Sequence, residues 1–233
     1  MKRLFASLAF AAGFTLLTVG SYGQTPIASL PYTISSGGNY YLTQNLTYSG
    51  AAGNAITVNA SNVTIDLNGY QLFCSNSNNS TWGIYANNVS NVSIKNGAID
   101  GFTFGIELGF PGGGSKVNFG HLVDGVRFSN DLESVAFYTT RGCVIRNCQI
   151  EGGLYGVVFN NGAGNRASNN VATGVGYGFT SIGAHYFDSN YADSCTYTGI
   201  YAASGTATKL RFNTTTNCGV AVYGGTSEGA SDQ

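Results

Sequence analysis

Apolar and polar residues alternate in short runs along this chain. Val63, Ile65 and Leu67, then Val92 and Ile94, set a large aliphatic side chain at every second position. A period of two predicts strands with one face turned inward. The alternation sits inside a longer repeat, because the segment from Asn59 to Gly69 returns in altered form from Asn88 to Gly97. Asn96, Asn147, Asn169 and Asn190 each stand nine places ahead of a glycine (Gly105, Gly156, Gly178, Gly199), with steps of 22 and 21 residues between the last three. The 51 residues from Asn96 to Asn147 hold one further coil, in which Val123, Gly125, Phe128 and Val135 take the places of Ile94, Asn96, Ile99 and Ile106. Repetition at this period predicts a solenoid of about seven coils.

Stacked coils lie about 4.8 Å apart, so equivalent residues form columns. Ile65, Ile94, Val123 and Ile145 form one inward aliphatic column, and Ile106, Val135, Val157, Phe179 and Ile200 a second. The four asparagines form an interrupted ladder at a turn, with amides bonding to one another and to backbone. Asn62 and Asn91, although each opens an Asn-x-Ser/Thr triplet, are read as rung residues. Two insertions of about seven residues break the period, at Cys74–Thr81 and Gly109–Lys116; in a solenoid such insertions emerge as loops that border binding surfaces.

Several repeat architectures are excluded. Sixfold aliphatic spacing is absent, leucine is too scarce for a leucine-rich repeat, and the calcium-binding nonapeptide is missing. What remains is an all-β, three-sided, right-handed parallel β-helix. Gly38 to Leu42, Ala55 to Val58 and Asn62 to Gly69 strengthen that reading, because they resemble the start of bacterial secreted right-handed β-helix repeat proteins of the pectin-lyase-like superfamily. The likeness spans most of Pro26 to about Gly205. It implies the fold and leaves activity open, since the superfamily holds pectate lyases, polygalacturonases, alginate epimerases, phage tailspikes, copper-centre maturation proteins and members without known activity.

Composition narrows the setting. The basic start Met1-Lys2-Arg3, the apolar run Leu4 to Val19 and the small residues Ser21 and Gly23 read as a secretory signal over residues 1–23. A β-helix over 24–223 and a flexible tail over 224–233 follow, with a secreted or periplasmic location and no membrane span. Only 9% of residues are charged and the net charge is −1, which gives no attraction to nucleic acid. Five cysteines (Cys74, Cys143, Cys148, Cys195, Cys218) lack metal-ligand spacing and read as small apolar interior residues, with one disulfide as the alternative. Strand edges at the solenoid ends leave room for end-to-end self-association.

Candidate chemistry lies on outward positions. Asp66, Lys95, Asp124 and Arg146 alternate in sign from coil to coil. With Arg127, Asp100 and Glu151 on the same face, Lys95, Asp124 and Arg146 are expected to line a groove for a charged polysaccharide or cell-surface glycan. The plainer reading is a solvated ladder that holds register, and the rival function is a noncatalytic structural or surface-interaction solenoid. The resemblance implies that a lyase would use Arg or Lys as base with a cation on the uronate carboxylate, so calcium would enter only with that activity and no other cofactor is expected. Asp-Asp, His-Gly and Arg-x-Lys, which a polygalacturonase-like hydrolase requires, are all absent, and no catalytic residue is assigned. His121 and His185 are expected at the surface or in turns. A third column, Trp82, Phe104, Glu133, Tyr155 and Tyr177, is either packed or offers flat surfaces to sugar rings, with Tyr85 and Tyr201 as additions.

Overall fold

The computed structural model describes residues 23–76, 80–110 and 118–228. Residues 1–22 of the expected signal over 1–23, positions 77–79 of the first insertion, 111–117 of the second and 229–233 of the expected tail lie outside the described residues. Every pairing between the strands is parallel, and each strand pairs with the equivalent strand of the next coil. The result is a right-handed parallel β-helix with three faces.

The first face opens with Thr25–Ile27 and Gly38–Leu42 and continues through Val63–Asp66, Val144–Arg146 and Lys209–Arg211. Leu46–Tyr48, Gln71–Cys74, Gln149–Glu151, Val171–Thr173 and Tyr191–Asp193 belong to the second. The third holds Gly53–Val58, Thr81–Ala86, Phe104–Gly109, Glu133–Arg141 and Thr198–Ala202. Long strands turn a corner without interruption: Val92–Asp100 and Leu122–Ser129 each serve the first face and then the second.

One residue makes that corner. Asn96, Gly125, Asn147 and Asn169 all have φ between 56° and 64°, the left-handed region that asparagine and glycine tolerate best. Because Lys95 and Asn96 both point outward while Ile94 and Gly97 are buried, the alternation slips by one and the chain changes face. Here the expected ladder needs one correction. Register pairs Ser168 with Asp188, so the left-handed successor of Asn169 is Ser189 (φ 57°), and Asn190 stands one place beyond. Asn190 joins a buried ladder instead. The amides of Cys148, Asn170 and Asn190 donate to Oδ1 of Asn170, Asn190 and Asn213 at 3.0, 3.1 and 3.0 Å. Each asparagine thus satisfies backbone that the corner would otherwise strand inside.

The interior is a stack of apolar columns. The register joins Tyr40, Ile65, Ile94, Val123, Ile145, Ala167, Phe187 and Leu210 into one, and Ile56, Ile84, Ile106, Val135, Val157, Phe179 and Ile200 into another. Both columns are buried along their length. Coil length varies, with equivalent positions 29 residues apart across the insertions and 22 or 20 apart later. Pairing also continues past Tyr223, where a tail without strands is expected: Thr226–Ser227 pair with Lys209 and Leu210, and Lys209 forms an ion pair with Glu228.

Candidate functional site

The outward charge column lines up as its spacing predicts, since Asp66 pairs in register with Lys95, Lys95 with Asp124 and Asp124 with Arg146. Lys95 Nζ lies 3.3 Å from Asp66, and Arg146 donates to Asp124 Oδ2 at 2.9 and 2.8 Å. Burial alone would raise the Asp124 pKa; hydrogen bonds from Arg146 and Asn147 outweigh it and hold the carboxyl below its usual range. Arg166, Arg211 and Asp188 repeat the arrangement further along this face. Lys95 with Asp66 and Arg146 with Asp124 are solvated pairs, the Lys95 side chain 41% exposed, whereas Asp188 is buried and shared by two arginines.

The six expected binding residues do not share a face. Lys95, Asp124 and Arg146 precede the corner, whereas Asp100, Arg127 and Glu151 follow it on the second face. The left-handed corner residues divide the two sets. Asp100 and Glu151 are both register partners of Ser129 and lie two coils apart, and Asp100 accepts hydrogen bonds from Gln71 and Asn130 at 3.0 and 3.1 Å. A depression of about 450 Å³ on this face is lined by Arg127, Gln149 and Glu151.

The third face is built differently. Its first outward column runs Trp82, Phe104, Glu133, Tyr155, Tyr177. Trp82 stacks on Phe104 at 5.0 Å and Tyr155 on Tyr177 at 5.1 Å, with ring planes 15° and 12° apart. Because stacked rings on successive coils lie across the helix axis, they present their edges sideways and form a wall. Glu133 is the break in that wall. The second outward column, Glu107, Ala136, Val158 and Thr180, is small in its middle and buried throughout. Tyr85 continues it at one end and Tyr201 at the other. Tyr138, Asn160 and Ile182 form a third column beside it. Small side chains between two taller columns make a groove along the axis. Three steps of about 4.8 Å carry it from Glu107 to Thr180.

Carboxyls and hydroxyls mark this groove. Glu107 is 3% exposed and accepts Trp82 Nε1–H at 2.8 Å, while Glu133 is 7% exposed and accepts the Tyr138 hydroxyl at 2.9 Å. Burial pushes both carboxyls up, Glu133 to about 7; its hydrogen bond from Tyr138 works against the rise, and the neighbouring Glu107 charge adds to it. Burial raises the Tyr138 and Tyr155 phenols as well, with the Glu133 charge contributing to each. Thr180 Oγ1 is buried without a hydrogen-bond partner. It lines a cavity of about 210 Å³ together with Glu133, Tyr138, Tyr155 and Asn160.

Sequence reading found the ring column but missed the floor of the groove. A signal existed: Glu107 stands between Ile106 and Leu108 in a strand that register makes almost wholly buried. The histidines depart from expectation too. His121 and His185 point into the coil, 1% and 0% exposed, beside Phe137 and Phe159. Their Nδ1 atoms accept the amides of Val92 and Asn165, and burial lowers both pKa values to about 4. They are neutral corner pieces. The five cysteines are free; four are buried and Cys218 is partly so, and burial pushes the Cys143, Cys148 and Cys195 thiols up to about 11, 12 and 12. Among the described residues, no three or more His, Cys, Asp or Glu side chains converge as metal ligands.

Residues 111–231 match the family described as "Periplasmic copper-binding protein (NosD)". Among solved structures, the alginate lyase from Paenibacillus sp. str. FPU-7 superposes with a TM-score of 0.54 at 13% identity, over 86% of this chain and 91% of that one. At that identity the likeness shows the fold. No curated protein matches the chain.

Proposed function

The chain belongs to the NosD family, and from that premise we propose a periplasmic or secreted protein that binds a polysaccharide in the groove of its third face. One observation carries the reading: a trough with ring-edge walls and recessed hydroxyl and carboxyl groups follows the helix axis over several coils. Saccharides need that mixture, because their C–H surfaces favour aromatic contact while each hydroxyl removed from water needs a polar partner. An alginate lyase of similar fold, acting on a polysaccharide, accords with this ligand class. The first face competes poorly. Its charges already satisfy one another, including Arg166, Asp188, Lys209, Arg211 and Glu228, which line a depression of about 220 Å³ there.

Copper, which the family description carries, does not fit the side chains present. Both histidines face inward and use Nδ1 to accept a backbone amide, burial holds the Cys143, Cys148 and Cys195 thiols protonated, and the chain has a single methionine, Met1. Copper sites draw on accessible imidazole, thiolate or thioether.

Titration calorimetry against a panel of oligosaccharides tests the proposal. Val158→Trp fills the trough from its floor while leaving the inward columns untouched, and it should abolish binding that the parent protein shows. Tyr155→Ala should weaken binding by about fivefold, in line with the ~1 kcal/mol typical of an aromatic contact. Unchanged affinity in Val158→Trp, with an intact circular dichroism spectrum, would overturn the assignment.

A further inference from the structure

The groove also bears on which saccharide it takes. Glu107 and Glu133 are its two charged groups among the described residues, and neither has a cationic partner. On the first face Asp66, Asp124 and Asp188 each meet a lysine or arginine, while Asp100, Asp131, Glu151 and Asp193 have no ion pair among the described residues. Trp82 and Tyr138 each donate one hydrogen bond to these carboxyls, which leaves acceptor capacity unused. Phe104 and Tyr155 flank Glu133 in register, so carboxyl and rings stand together at one place. Uncompensated carboxylates are the surroundings an organic ammonium prefers, since its charge neutralises them and its N–H groups fill their unused acceptor capacity. The partnerless Thr180 hydroxyl lines the cavity that Glu133 lines and supplies a second polar contact there.

We infer that the groove selects a saccharide carrying protonated amines, an amino-sugar oligomer, over a uronan or a neutral glycan. The inference rests on the saccharide reading above. A uronan offers these carboxyls no cation: where they are ionised its own carboxylates are repelled, and where they are protonated no ion pair can form. An ammonium reverses the sign. It compensates a carboxylate that is otherwise buried alone, so the complex holds Glu133 ionised and releases a proton where the free protein keeps it protonated. The titratable groups facing Glu133 are Glu107, Tyr138 and Tyr155.

The experiment compares three oligomers of equal length on the full chain at mildly acidic pH: glucosamine, N-acetylglucosamine and a uronate. The parent protein should bind the glucosamine oligomer at least tenfold more tightly than its acetylated counterpart, and the uronate most weakly. Calorimetry in buffers of different ionisation enthalpy should show proton release with the amine alone. In the Glu107→Gln/Glu133→Gln double variant the preference should vanish while binding to the acetylated oligomer persists. Equal or tighter binding of the acetylated or uronate oligomer by the parent would overturn the inference and leave the groove reading standing. A preference that survives in the double variant would overturn it as well. If no saccharide binds at all, the groove reading falls and this inference with it.

Discussion

The first and third faces of this helix cover the same apolar interior and differ only in what they turn outward. On the first, each charge meets an opposite charge on the next coil, and side chains such as Lys95 and Arg146 remain in contact with water. On the third, two carboxyls sit among rings, nearly out of water and without a cation. Stacking explains the first pattern by itself, because any charge on an exposed rung gains by a partner about 4.8 Å away. It does not explain the second. A buried carboxyl with one hydrogen bond costs stability, and a site that keeps two of them is suited to a ligand that completes them.

Trp82→Ala should produce the largest effect. The change removes a ring stack worth about 0.5–1.5 kcal/mol and a hydrogen bond whose loss leaves Glu107 unsatisfied at about 1–3 kcal/mol, for a total of roughly 2–4 kcal/mol by urea denaturation. A loss below about 1 kcal/mol would mean the third face is as loosely held as the first. Glu133→Gln sharpens the comparison through pH. The folded protein holds the Glu133 proton more tightly than the unfolded chain, with a pKa near 7 against 4.5. Stability from this group is therefore complete below 4.5 and lost as pH rises through about 7. The glutamine variant lacks that loss, so it should match the parent at low pH and exceed it by up to roughly 3 kcal/mol above neutrality. His121 and His185 slope the other way, since their lowered pKa values destabilise the fold as pH falls from 6.5 towards about 4. The difference between variant and parent cancels them. A difference that stays flat across pH would place Glu133 in water.

How far the two faces were legible in sequence follows from the same contrast. Register depends on spacing, and spacing is written in the chain; Val123 could be matched with Ile94, and Asp124 with Lys95, from residue numbers alone. Corners are harder. A single left-handed residue turns Lys95 and Asp100 onto different faces, and Asn96 carries no mark that says the strand bends there rather than runs on. Coil shortening misled the asparagine ladder for a related reason: once the step falls to 20 residues, Asn190 moves from the outer corner to the inner one. The groove was least legible. Its depth comes from Ala136, Val158 and Thr180 lying beside taller neighbours on both sides, a relation among three columns that no single column shows.

The smallest effects should come from the first face, and there a large one would matter most. Lys95→Ala and Arg146→Ala each remove one member of an exposed pair, so each should cost about 0–1 kcal/mol, and molar salt should erase much of the difference from the parent by screening what the pairs contribute. Saccharide affinity should be unchanged in both, because neither residue reaches the third face. If either substitution lowered affinity tenfold with stability intact, the polysaccharide would lie along the charge ladder, and Glu107 and Glu133 would need an explanation in the packing of the rings around them.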